Sequence, residues 1–174
     1  MIWFLRHADS MGQAPDAALS AEGAQAAEML VPVLLGLPIN RIHSSPYRRA
    51  LDTAAPFAAA AQISVHEDER LRERVHGAVP PGGCGEEIEH LFADFEARPH
   101  GGESLSDVAQ RGQAAVAEIA GGGEGALIAT HGLWLSVILS AYGRPLDIPS
   151  WRSMPRPALF ELHNGRVRSI EVAP

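Results

Sequence analysis

The 174 residues, 46% of them hydrophobic, can bury the core of one domain and are too few for two comfortable ones. A formal net charge of -7 argues against a nucleic-acid partner or an anionic membrane surface, and no basic run reverses it. The only cysteine, Cys84, excludes an internal disulfide and suits a reducing compartment.

The first predicted element is Ile2-Trp3-Phe4-Leu5, an apolar run read as a buried strand ending on Arg6-His7. That run is too short for a signal peptide. The longest later apolar stretch, 126–141, contains His131 and falls short of the ~20 residues a spanning helix needs. A soluble, cytoplasmic protein without a membrane partner is expected. Residues 8–19 read as a polar loop. Ser20 is placed to N-cap an Ala-rich helix reaching residue 35, stopped by Gly36 and Pro38. Residues 39–43 predict a second strand. Ser45-Pro46 are expected to cap the next helix, with Pro46 at its first position, and that helix to end near residue 61. Residues 63–66 predict a third strand. Residues 80–85 read as a loop, and 86–97 as a helix with Ile88, Leu91, Phe92 and Phe95 on one face. A clearer helix spans 104–120, with Leu105, Val108, Val116 and Ile119 inward, and Gly121-Gly122-Gly123 ends it. Residues 126–130 predict a buried strand, with a helix behind it over 132–141. Asn164-Gly165, between 158–162 and 167–170, is a two-residue hairpin signal. This alternation predicts a single α/β domain over 1–174. The expected architecture is a three-layer α/β/α sandwich with a mostly parallel central sheet and a terminal β-hairpin.

In open α/β sheets ligands bind at the carboxyl ends of strands. Two predicted strands end there in a histidine. His7 has Arg6 beside it, and His131 precedes a helix whose N-terminus favours an anion. Arg49 falls in the first turn of the helix after the second strand and would complete a bidentate grip on phosphate oxygens. Glu73, between Arg72 and Arg74, can supply the proton that a leaving alcohol needs. The set points to phosphoryl transfer, in which negative charge spreads over three equatorial oxygens. Arg6, Arg49 and protonated His131 would compensate that charge without a metal. Neutral His7 would attack in line, Glu73 would protonate the leaving oxygen, and water would hydrolyse the phosphohistidine. Alone, either histidine is more often a core or surface residue, and Glu73 one member of a solvated charge run. The matching strand-end contexts change that balance. His43, His66, His76, His90, His100 and His163 show no zinc-ligand spacing and read as structural or surface residues. Trp3, Trp134 and Trp151 read as packing residues.

Five segments, in order, resemble those of the histidine phosphatase superfamily, also called the phosphoglycerate mutase-like family. Arg6-His7-Ala8 resembles its Arg-His-Gly, and Ser45 to Ala50 its Ser-x-x-x-Arg-Ala. Leu71 to Gly77 resembles its Leu-x-Glu-x-x-x-Gly, Gly101 to Ser104 its Gly-Gly-Glu-Ser, and His131-Gly132 its second His-Gly. The resemblance runs from residue 2 to about residue 140 and implies a phosphoglycerate mutase-like fold. It implies His7 as the nucleophile that becomes phosphohistidine, Arg6, Arg49 and His131 as ligands of the phosphoryl group, and Glu73 as proton donor. It places Ser10 and Gln13 near phosphate oxygens, with Gln13 where an Asn is common. Ala8 departs from the usual Gly and adds a Cβ beside the phosphate loop. Asp52 departs from the usual Gln and either pairs with Arg49 or faces solvent. The activity implied is metal-independent, cofactor-free hydrolysis of a small phosphomonoester. The alternatives are a phosphoglycerate mutase, which the brief 77–99 segment disfavours, a phosphohistidine-protein phosphatase, an α-ribazole-phosphate phosphatase, and a non-catalytic phosphate-binding module. Specificity is expected from residues 8–19 and 67–102, where Arg72, Arg74, His76 and Arg98 could read a second anionic group. Oligomeric state is not legible.

Overall fold

The computed structural model describes residues 1–78 and 84–172. Six strands form one sheet: β1 (Ile2–Arg6), β2 (Arg41–Ser44), β3 (Val65–Glu67), β4 (Ala126–Thr130), β5 (Ala158–His163) and β6 (Arg166–Ile170). Their order is β3-β2-β4-β1-β5-β6. The first four in that order are parallel, β5 runs antiparallel to β1, and β6 antiparallel to β5. The helices are α1 (Ala21–Leu35), α2 (Arg48–Ala61), α3 (Cys84–Ala93), α4 (Leu105–Gly121), α5 (Gly132–Ser140) and α6 (Ile148–Ser153).

Alternation along the central strands divides the interior into two cores. Trp3 and Leu5 of β1 pack with Leu30 and Leu34 of α1 and Phe57 of α2. Ile2 and Phe4 point the other way, to Val108 and Ile119 of α4 and Trp134 and Ile138 of α5. On β4, Leu127 and Ala129 join the first core, and Ala126 and Ile128 the second. Strands covered on both faces are apolar at every position. Each large side chain removed from water in this way contributes roughly 1.5–3 kcal/mol.

Capping chemistry sets most helix bounds. Ser20 Oγ accepts from the Gly23 amide at 3.0 Å at the start of α1. Ser104 and Asp107 form a reciprocal capping box at the start of α4. The predicted start of α2 is corrected. That helix begins at Arg48, with Tyr47 at the cap position and no side-chain cap. Ser45 Oγ accepts from the Tyr47 amide at 3.2 Å and lies 2.7 Å from His131 Nε2. A hydroxyl held in a turn and against an imidazole cannot also cap a helix that starts later. The helix predicted over 86–97 ends at Ala93, where Asp94 Oδ1 takes the Glu96 amide at 2.9 Å, so Phe95 lies beyond it and is exposed. Of the loop predicted over 80–85, Cys84 and Gly85 belong to α3, and 80–83 lie outside the described residues. The short α6 carries too few turns to show a period. Its signal is Asp147, whose Oδ1 accepts from the Ser150 amide at 2.7 Å. Asn164 and Gly165 take φ of 51° and 72°, both left-handed, as a two-residue hairpin turn requires.

The chain leaves β1 toward β2 on one side and leaves β4 toward β5 on the other. Connections diverging from neighbouring strands open a crevice at their carboxyl ends. No helix among the described residues is long and apolar enough to cross a membrane.

Candidate active site

Arg6 and His7 leave β1 at this crevice, Ser44-Ser45 leave β2, and His131 leaves β4. Pairing continues past the strand ends. The His7 amide donates to the Thr130 carbonyl and the Ser45 amide to the Ala129 carbonyl, each at 2.9 Å. The ring centroids of His7 and His131 lie 5.1 Å apart, edge to face. Arg49 arrives from the first turn of α2. Its Nε–H donates to His7 Nε2 at 3.2 Å, and its Nη1 donates to the carbonyls of Gln13 and Ala14 at 3.2 and 3.0 Å. Glu73 completes the group. Its Oε1 accepts from the amides of Arg74 (3.1 Å) and Trp134 (3.0 Å), and its Oε2 from that of Leu133 (3.1 Å). The Glu73 carboxyl group therefore lies at the N-terminus of α5.

A second layer of contacts holds these groups. Thr53 Oγ1 accepts from the Ala8 amide at 3.0 Å and donates to the Arg49 carbonyl at 2.6 Å. Ala8 is buried, so the Cβ it adds is accommodated in the interior. Arg111 donates to the carbonyls of Arg70 and Arg72 at 2.8 Å each and of Glu73 at 3.2 Å, and it pairs with Glu103 at 2.9 Å. Glu103 Oε2 also takes the Val75 amide at 2.8 Å. Burial disfavours ionisation of Glu103, but Arg111, the Val75 amide and Arg72 outweigh it and hold the carboxyl below its usual range. The Gly101 to Ser104 segment thus clamps the Glu73 segment in place. The two pass so closely that a Cβ on Gly77 would overlap the His100 carbonyl.

The electrostatics favour a neutral nucleophile. Burial, reinforced by Arg49, Arg6 and Arg156, outweighs the hydrogen bond to Ala8 and lowers the His7 pKa to about 3. His7 Nδ1 lies 2.6 Å from the Ala8 carbonyl, which can only accept, so Nδ1 carries the proton and Nε2 the lone pair. His131 is also pushed well below its ordinary value, by burial and then by His7 and Arg49. Without a substrate, the cations placed to face a phosphoryl group also disfavour a proton on this ring. Its Nδ1 is buried and has no partner among the described residues. Burial and Arg156 lower Arg6 to about 10, which leaves it charged at neutral pH.

Arg6, His7, Gln13 and Glu73 line a cleft of about 460 Å³, whose outer wall includes Ile88, Leu133, Trp151 and Arg156. Arg49, Tyr47, Glu73 and Gln13 line an adjoining hollow of about 140 Å³. A larger groove of about 670 Å³ runs between α6 and β5–β6 and holds none of the predicted site residues. Ser10 is not brought to the cleft, and its Oγ donates to the Gly12 carbonyl at 3.0 Å. Asp52 pairs with Arg48 at 3.3 Å rather than with Arg49. Of the four residues expected to read a second anion, three are paired within the protein. Arg72 binds Glu103 at 3.1 Å, Arg98 binds Asp107 at 2.8 Å, and Arg74 binds Glu87 in the interior. His76 lines the cleft.

The cation that the sequence reading missed is Arg156, half-exposed and 3.7 Å from Asp9. Its signal lies in strand direction. β5 is antiparallel to β1, with Ala158 opposite Arg6, so the residues just before Ala158 reach the same edge. Trp151, read as a packing residue, lines the cleft. Among the described residues, no group of three or more His, Cys, Asp or Glu side chains is placed to hold a metal ion.

A family model described as the histidine phosphatase superfamily (branch 1) matches residues 2–171. No curated protein matches the sequence. Among solved structures, YhfR of Bacillus stearothermophilus is 28% identical, with 97% of this chain and 94% of that chain covered and a TM-score of 0.74. A mycobacterial glucosyl-3-phosphoglycerate phosphatase, solved with inorganic phosphate, is 26% identical, with 99% and 96% covered and a TM-score of 0.76. The α-ribazole phosphatase of Shigella flexneri shares the fold at 20% identity, with 98% and 94% covered and a TM-score of 0.72. With the motifs in place at one crevice and the family match spanning nearly the whole length, the chain belongs to the histidine phosphatase superfamily.

Proposed function

We propose that this protein is a metal-independent phosphatase that hydrolyses a small phosphomonoester through a phosphohistidine on His7. The observation that carries this reading is the state of His7. It is a neutral imidazole with its proton fixed on Nδ1 and its Nε2 lone pair among Arg6, Arg49 and Arg156. An arriving phosphoryl group competes for the Arg49 N–H that caps Nε2, so binding the phosphate frees the nucleophile. Nε2 then attacks phosphorus in line as the ester P–O bond breaks. Arg6 and Arg49 offset the charge on the equatorial oxygens, and the incoming anion draws a proton onto His131. Glu73 gives its proton to the leaving alcohol. Its Oε2, which accepts one amide where Oε1 accepts two, is the freer oxygen for that transfer. Water, deprotonated by Glu73, then attacks the phosphohistidine, releases phosphate and restores His7.

The mycobacterial neighbour named as a phosphatase supports hydrolysis over isomerisation. Brief incubation with a ³²P-labelled phosphomonoester and quenching without acid should leave label on His7. Label on another residue, or full activity in His7→Ala, overturns the reading.

A further inference from the structure

The buried ion pair of Arg74 and Glu87 leads to the cleft. Neither side chain is exposed. Arg74 Nη2 donates to Glu87 Oε1, while Oε2 faces His76 Nδ1 at 3.3 Å. A carboxylate oxygen only accepts, so Nδ1 is the donor and the neutral ring carries its lone pair on Nε2. A carboxylate behind an imidazole fixes both its tautomer and its plane. His76 lines the cleft beside His7 and also the hollow beside Arg49, and Glu73 lines both as well. His76, with Gln13 and Glu73, therefore borders both spaces. No step of phosphoryl transfer uses it.

We propose that His76 is a specificity-determining residue and Glu87 its positioning residue. His76 Nε2 accepts a hydrogen bond from a hydroxyl on the alcohol part of the substrate and selects phosphomonoesters of polyols or sugars over those of simple alcohols. The proposal deepens the phosphatase reading and rests on it. An accepting Nε2 favours the hydroxylated ester over its deoxy analogue by the modest net worth of one neutral hydrogen bond, because the His76 side chain is 39% exposed and water can replace the hydroxyl. Ile88, Leu133 and Trp151 offer no acceptor there; Gln13, which lines both spaces, carries an amide oxygen, so the loss in His76→Phe is what assigns the role to His76.

Two measurements test it. Imidazole ¹⁵N spectra of the full chain, with His76 assigned by its loss in His76→Phe, should show the Nδ1–H tautomer for the neutral ring. The Nε2–H tautomer overturns the proposal whatever the activity. In kinetics, kcat/KM is compared for glycerol 1-phosphate and 1-propyl phosphate, with p-nitrophenyl phosphate as a common reference. The wild-type protein should prefer the glycerol ester about 10-fold, the effect of one neutral hydrogen bond, and His76→Phe should reduce that preference to about 2-fold or less. Glu87→Asp, which withdraws the carboxylate by one methylene, should lower the same ratio. A preference retained in His76→Phe overturns the proposal. So does a selective loss for 3-phosphoglycerate, which would make His76 a donor to an anion. Turnover of p-nitrophenyl phosphate with no wild-type preference between the two esters overturns it while leaving the phosphatase reading intact. No turnover of any ester overturns both.

Discussion

Gly132 seats the guanidinium of Arg6. A Cβ at position 132 would stand 2.6 Å from Arg6 Nη2 and 2.8 Å from Cζ. Arg6 cannot retreat freely, because its Nη1 is held by the carbonyls of Met154 and Pro155. Gly132→Ala should therefore misplace Arg6 without dismantling the fold. Alanine is the better helix former by about 1 kcal/mol, and overpacking of this kind costs typically 1–3 kcal/mol. A displacement near 1 Å in a catalytic clamp costs roughly 10²-fold in rate. A small change in melting temperature with a large loss of kcat/KM is the expected pair of results. Unchanged kcat/KM would remove Arg6 from the phosphate grip.

Glu73→Gln separates proton donation from positioning. An alkyl alkoxide is a poor leaving group and needs the proton, whereas p-nitrophenolate needs little help. Single-turnover formation of phosphohistidine should slow by roughly 10²–10⁴-fold with an alkyl phosphate and much less with p-nitrophenyl phosphate. The glutamine has one oxygen for three amide donors, so stability should fall as well, by about 1–3 kcal/mol for each amide left unpaired. That loss is common to both substrates and does not affect the contrast. Equal slowing with both esters would reduce Glu73 to a positioning role.

Buried neutral histidines make stability depend on pH. His7 and His131 have folded pKa values below the unfolded value of 6.5. Between those values the unfolded chain binds more protons, so stability is fully present above pH 6.5 and falls as the pH drops toward the folded value of about 3 for His7. Melting temperatures should decline from pH 7 to pH 5, and His7→Asn or His131→Gln should flatten that decline. The carboxyl groups of Asp68, Glu103 and Asp107, held below their usual range, add a loss that sets in at lower pH. An unchanged slope in both histidine variants would contradict their buried neutral state.

The cations around His7 are protein groups, so activity should survive exhaustive chelation. Vanadate, a mimic of five-coordinate phosphorus, should inhibit competitively. Activity lost on chelation and restored by a divalent ion would contradict the proposed charge balance.

Periodicity made the frame legible. The apolar runs at 2–5 and 126–129, covered on both faces, identified the central strands, and the strand-end histidines identified the crevice. Ser20 and Asn164-Gly165 announced their own local structures, because each acts through atoms a few residues away. What stayed hidden depended on distant partners. Ser45 is an ordinary cap candidate in sequence and becomes a partner of His131 only when β2 and β4 lie side by side. Arg72, Arg74 and Arg98 looked available for an anion because Glu103, Glu87 and Asp107 lie 31, 13 and 9 residues away. Arg156 required the direction of β5, which no local pattern encodes.

Because β5 opposes its neighbour, its beginning meets the end of β1. The segment 154–156 therefore serves two masters: two of its carbonyls steady Arg6, and its last residue lines the outer cleft. Any displacement of Arg6 is carried through two peptide units to Arg156. Changes at this bend cannot retune the outer cleft while leaving the anion grip untouched, and paired substitutions at Arg6 and Arg156 will not be additive. Ile88, on α3, lines the same cleft, and α3 packs on α6, the helix that leads into this bend. Selectivity set at the bend before β5 is therefore coupled to the anion grip that the same bend supports.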